Sequence, residues 1–171
     1  MPAWFTACLL WTCGLCLLLI GLIDKKNETK HFKYWIVLGV IFFFLSLDET
    51  ISVHEWLTLP VKSFFSSNIV ELTGFFRHAW VIPFGAMLLL LLFLYIPFLM
   101  SLEIKIRKLF CTAGIVYVFG AIGLEMVAGA VHDEVINLNY EIIYPLEELC
   151  EMLGVLIFLH GLTAILISKQ Q

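Results

Sequence analysis

The chain has 171 residues, 61% of them apolar and only 14% charged, with a formal net charge of −4. That composition excludes a disordered chain and an ordinary soluble domain. The excess of acid over base gives no surface for nucleic acid, and none is expected as a partner.

Apolar runs of about 20 residues are long enough to cross a bilayer as helices. Five such runs predict an all-α integral membrane bundle of five transmembrane helices, a single domain over 1–171 with no repeat or linker. The first covers about 3–23. It lacks a basic leader and is followed by Lys25 and Lys26, so it is read as a retained helix and not a secretory signal. Its Cys13 and Cys16 form a C-x-x-C pair, which suits a redox pair or, more simply, small apolar packing residues. The second run, about 34–57, ends in Asp48, Glu49, His54 and Glu55. The segment 60–78 follows. Its Asn68 and Glu71 resemble a capping box ahead of Leu72, Phe75 and Phe76, which predicts a short interfacial helix at about 69–76. The third run, about 79–101, holds Pro83 and Pro97 and has His78 just before its start. The first and third helices are expected to be lipid-facing scaffold. The fourth, about 109–132, carries Glu125 and His132. The fifth, about 144–167, opens with Glu147, Glu148 and Glu151 and carries His160, expected as a hydrogen-bonded core residue.

Basic residues favour the cytoplasmic side. Eight of the ten fall in the first and third connections and the C-terminal tail; only Lys62 and Arg77 fall on the other side. The N-terminus is therefore expected outside and the C-terminus in the cytoplasm of a multi-pass cell-membrane protein. Eleven of the fourteen acids fall on the outer side, in outer loops or the outer ends of helices.

A rise of about 1.5 Å per residue puts Asp48 about 20 Å along helix 2 and Glu125 about 24 Å along helix 4. Glu148 and Glu151 enter from the outside and lie about 6–10 Å in. All three positions fall in the outer third of a core about 30 Å thick. Asp48, Ser52 and Glu55 share one stripe of helix 2. Glu125 and His132 share another on helix 4, separated by the small Ala128 and Gly129, which leave space for a ligand or a close helix. Tyr144, Glu148 and Glu151 share a third. With Pro145 in a first turn, Glu147 and Glu148 suit helix capping as well as a site. Asp133, Glu134 and Glu141 read as solvated loop acids.

Ionised acids at this depth need a proton, a pairing base or a bound cation. Carboxylates with imidazoles suit zinc, iron or manganese. The expected metal ligands are Asp48, Glu55, Glu125, His132, Glu148 and Glu151, with His54 and Glu49 as alternatives. In a metal-dependent enzyme the ion would activate a water, and Glu151 or Glu55 would act as catalytic base in hydrolysis of a lipid or another apolar substrate. Two other readings stand beside it. One is a proton or cation channel or transporter subunit, for which the inner helix halves offer no acid. The other is a non-enzymatic membrane sensor or assembly partner. Whether the chain forms a homo-oligomer is open.

The stretch Phe44-Leu-Ser-Leu-Asp-Glu-Thr-Ile-Ser-Val-His-Glu55 resembles a helix end, "LDE…HE", of uncharacterised small prokaryotic polytopic membrane proteins. Their last helix carries a segment similar to Glu147-Glu-Leu-Cys-Glu-Met-Leu-Gly154. The resemblance covers about a fifth of the chain, supports pairing of these two segments and implies no particular activity. In residue types alone the chain also resembles membrane metal hydrolases of the alkaline ceramidase group, which set three His, an Asp and a Ser around zinc. His54, His78, His132, Asp48 and Ser52 are the residues available for those roles. That group has seven helices, a departure from the pattern here.

Overall fold

The computed structural model describes residues 2–66 and 72–170. Among them the chain is all-helical, with no strand, and five helices are long and apolar enough to cross a membrane. Helix α1 spans Pro2–Lys26 and α2 spans Phe32–Ile51. Two short helices follow, α3 at Val53–Trp56 and α4 at Thr58–Ser66. A 3-10 turn at Gly74–Phe76 leads to α5, Val81–Ser101. Helix α6, Ile104–Val118, runs through a π-helical segment at Phe119–Leu124 into α7, Glu125–His132, making one long span. Helix α8 covers Tyr140–Gln170.

Five spans match the expected number, and three differences from the expected elements affect the site. The second span stops at Ile51 instead of running to 57, because Ser52 adopts a left-handed conformation (φ 50°, ψ 46°). The interfacial helix expected at about 69–76 falls partly outside the described residues. Its described part forms the 3-10 turn, and the amphipathic helix lies earlier, at α4. The last helix starts at Tyr140, not 144, so Pro145 lies inside it.

Helix α1 is central, not lipid-facing scaffold. Leu10, Cys13, Leu17 and Ile20 are fully buried, and they pack with Trp35, Phe158 and Leu162 in the main core. It is the most buried of the five spans. The Cys13 and Cys16 thiols are free. His160, expected in the core, is exposed on α8. Helix α5 fits the lipid-facing expectation better: Leu89, Leu90 and Phe93 are largely exposed.

The two ends of the bundle are fastened differently. At the lysine-rich end, buried Asp24 accepts a bond from Trp35 Nε1 at 3.0 Å and pairs with Lys169, tying α1, α2 and α8 together. There the Phe98 ring of α5 stacks on Tyr34, 5.0 Å between centroids, and meets Trp35 edge-on at 4.7 Å. Tyr95 donates its hydroxyl to the Tyr34 carbonyl at 3.0 Å. At the acidic end α5 is pinned by Trp80 against His54, 4.4 Å between ring centroids. Between those two fastenings α5 borders open space.

Candidate functional site

That space is a cavity of about 390 Å³ among α2, α5, the α6–α7 span and α8. Its two parts differ in chemistry. Asp48, Glu49, His54, Glu125, Tyr144, Glu147, Glu148 and Glu151 line the acidic end. Leu38, Phe42, Leu45, Phe110, Val155 and Phe158 line an apolar arm that extends toward the lysine-rich end. Phe84, Met87, Leu88 and Leu91 recur at helical spacing and turn one stripe of α5 toward it. Glu148 and Phe158 are ten residues apart on α8, so the arm runs about 15 Å. Among the described residues no Lys or Arg lines the cavity.

Local sequence explains how each acid reaches this place. The left-handed Ser52 ends α2 through an N–H bond to the Asp48 carbonyl at 2.7 Å and folds the chain back. His54 then returns over Asp48. Its backbone N–H donates to Asp48 Oδ1 at 2.8 Å, and its Nδ1 lies 2.8 Å from Asp48 Oδ2. Burial pulls the His54 pKa down. The Asp48 hydrogen bond and charge, with the charges of Glu55 and Glu125, outweigh that effect, so the imidazole titrates above its ordinary value.

Glu125 opens α7 directly after the π-helical segment. A second acid–imidazole pair forms here, with His78 Nδ1 3.0 Å from Glu125 Oε1. Glu147 of α8 lines the same acidic end as Glu125. Gly120, in the π-helical segment, permits the close approach of α8: a Cβ there would lie 2.9 Å from the Glu147 carbonyl oxygen and 3.0 Å from Cys150 Cβ. π-Helical turns occur frequently at functional sites. On α8, Asn139 Oδ1 accepts the Glu141 N–H at 2.9 Å at the helix start. Glu147 and Glu148 therefore lie about two turns inside the helix, and neither caps it. Tyr144 lines the acidic end one turn before Glu148.

The structure thus brings together Asp48, His54, Glu125, Glu148 and Glu151 of the expected set, and Glu49 with them. Glu55 and His132 stand apart. Glu55 is exposed on α3, because the break at Ser52 ends the stripe that would have aligned it with Asp48. His132 is the last residue of α7 with its side chain 59% exposed, and its Nε2 lies 3.4 Å from Arg77. Asp133, expected as a solvated loop acid, instead accepts the Gly74 N–H at 2.7 Å and pairs with Arg77. The Gly74 backbone bond holds its carboxyl below the usual range; burial opposes this, and Arg77 and His132 reinforce it. The small residue Gly129 admits this same loop, not a ligand. A Cβ there would lie 2.8 Å from the Gly74 carbonyl oxygen and 3.2 Å from the His78 ring.

Two lining groups and one residue beside them were not among the expected ligands. By sequence Glu147 suits a helix cap equally well; His78, 3.0 Å from Glu125, is the polar residue before α5 and one of the three His that the metal-hydrolase resemblance could use; Tyr117 is a polar group of an otherwise apolar inner helix half with no motif around it. Tyr117 lies where the acidic end meets the arm, against Gly154.

The donor types suit a divalent metal, yet among the described residues no three His, Cys, Asp or Glu side chains are grouped closely enough to hold one. Asp48, Glu125, Glu148, Glu151 and His54 are the residues that would have to converge.

The chain belongs to the family described as "Domain of unknown function (DUF8692)", whose model matches residues 1–166. No curated protein and no solved structure matches it.

Proposed function

We propose that this membrane protein binds an amphipathic, lipid-like molecule in the cavity, with the polar head among the carboxyl and imidazole groups and the chain along the apolar arm. The continuity of the cavity carries this reading. A site for a small polar solute has no use for an apolar arm about 15 Å long, and a plain lipid crevice has no use for six acids. Ligand pockets combine largely apolar walls with a few placed polar groups, as here.

The basic residues cluster at the opposite end, so the acidic head site faces the extracytoplasmic side and its ligand comes from the outer leaflet. Asp48 occupies Nδ1 of His54 and leaves Nε2 to give or take a proton. A carboxylate that orients an imidazole in this way suits acid–base chemistry on a bound head group.

The ligand reading is tested by native mass spectrometry of protein released from bilayer nanodiscs. One retained amphipathic molecule per chain is expected. Leu91→Trp, which fills the arm, should abolish retention, while Leu90→Trp on the exposed side of α5 should not. Equal retention by both variants would refute the reading.

A second reading, a divalent zinc, iron or manganese ion at the same acids, is favoured by one observation. His54 and His78 both have Nδ1 engaged by a carboxylate, the arrangement that orients metal-binding imidazoles. Elemental analysis of purified wild type and Glu148→Gln tests it; no stoichiometric metal in either rules it out.

A further inference from the structure

The charge of the head group follows from the chemistry of the acidic end, given that the cavity takes an amphipathic molecule. We infer that the ligand carries a protonated amine head, anchored by Glu148. Glu148 is 7% exposed and lines the cavity, and its Oε2 is buried with no hydrogen-bond partner. A buried carboxylate oxygen left unmatched is costly, and burying it beside other acids makes it more so. The polar groups already paired do not relieve it. Asp48 is occupied by His54, and Glu125 is occupied by His78. Glu49 and Glu151 line the same end, and no Lys or Arg among the described residues reaches it.

What is missing is therefore a cation that donates hydrogen bonds. A primary ammonium supplies one positive charge and three N–H donors. Its donors can meet Glu148 Oε2 and the neighbouring Glu49 and Glu151. A bare metal ion meets the same need for charge but leaves the apolar arm without a role. An anionic head, such as a phosphate without an amine, could reach the His54 and Trp80 donors but would sit among six carboxyl groups and leave Glu148 Oε2 unmatched. A hydroxyl head satisfies one acceptor and leaves the charge.

The test uses the full chain in a neutral non-ionic detergent, with Trp80 at the cavity as fluorescent reporter. Four probes share one alkyl chain: dodecylammonium, dodecyltrimethylammonium, dodecanol and dodecyl sulfonate. Dodecylammonium is expected to bind about tenfold or more tighter than dodecanol, as a charge-assisted hydrogen bond warrants. The trimethylated head should fall between them, and the sulfonate should bind worst. Glu148→Gln should bring dodecylammonium down to the level of dodecanol and leave dodecanol unchanged, which also shows that the variant is folded. Leu90→Ala, on the exposed side of α5 and outside the cavity lining, should keep the ammonium preference. Equal binding of all four heads by the wild type, or an undiminished preference in Glu148→Gln, would overturn the amine assignment and leave the cavity reading intact. Binding of none of the probes would overturn both. Displacement of dodecylammonium by equimolar zinc or manganese would assign these acids to a metal and overturn it as well.

Discussion

Asp48 holds His54 at two points: one carboxylate oxygen accepts its backbone N–H at 2.8 Å, and the other meets its Nδ1 at 2.8 Å. The first bond caps α3 and the second fixes the imidazole in the cavity wall. A group whose folded pKa is raised contributes stability that is fully present below its ordinary value. That contribution is lost as pH rises through the folded value. His54 is such a group. Asp48→Asn keeps an oxygen for the backbone bond and removes the charge. In labelled-histidine NMR the His54 titration should move down toward or below the ordinary imidazole range. The thermal stability of the variant should lose the part that declines from mildly acidic to alkaline pH in the wild type. An unchanged titration would show that Asp48 does not control this ring.

The spans and the depth of the acids were legible because they depend on helix rise and apolar length alone. Asp48, Glu125, Glu148 and Glu151 therefore fell at one level and do line one cavity. What escaped depended on single backbone events or on tertiary partners. A non-glycine residue rarely takes a left-handed conformation, so nothing in the sequence marked Ser52 as the end of α2, and Glu55 was carried along a stripe that stops short of it. His132 shares a stripe with Glu125 but lies about 10 Å farther along the axis, outside the cavity lining. Asp133 looked solvated because its partner Gly74 is 59 residues away in sequence. Helix α1 is apolar on all sides, so its sequence did not say that one of them forms the core.

The joint between α8 and the α6–α7 span depends on the absence of a side chain at Gly154. A Cβ there would lie 2.7 Å from Tyr117 Cβ, 2.8 Å from Tyr117 N and 2.9 Å from the Ala113 oxygen. Two of those atoms are backbone and cannot rotate aside. Gly154→Ala should therefore destabilise the protein by about 1–3 kcal/mol, the usual cost of overpacking. It should also weaken ligand retention, since Gly154, Tyr117 and Ala113 all border the cavity. Gly85 on α5 is the control, because a Cβ there meets nothing within 4 Å. Gly85→Ala should be neutral or gain up to about 1 kcal/mol from helix propensity. Denaturant unfolding in detergent micelles compares the two. A Gly154→Ala variant as stable as Gly85→Ala would mean that the helices do not pack this closely.

The loop carrying His78 is held to α7 by Asp133, which accepts the Gly74 N–H at 2.7 Å and pairs with Arg77. Because the Asp133 carboxyl titrates below the usual range, its contribution to stability is present above the ordinary aspartate value. It is lost as pH falls through the folded value. The Gly74 amide should accordingly be protected from hydrogen exchange at neutral pH and lose protection in acid. Asp133→Asn retains an acceptor for Gly74 but not the charge facing Arg77. Its loop should exchange faster at neutral pH and respond little to acid. The consequence reaches the cavity because His78 rides on this loop and meets Glu125 at 3.0 Å. Loosening the loop should free Glu125 and weaken head-group binding, with the Asp24–Lys169 fastening at the far end of the bundle unaffected. Exchange measured at both ends separates this local effect from global unfolding. Equal acceleration at Gly74 and at residues around Asp24 would show that the latch supports the whole fold and not the loop.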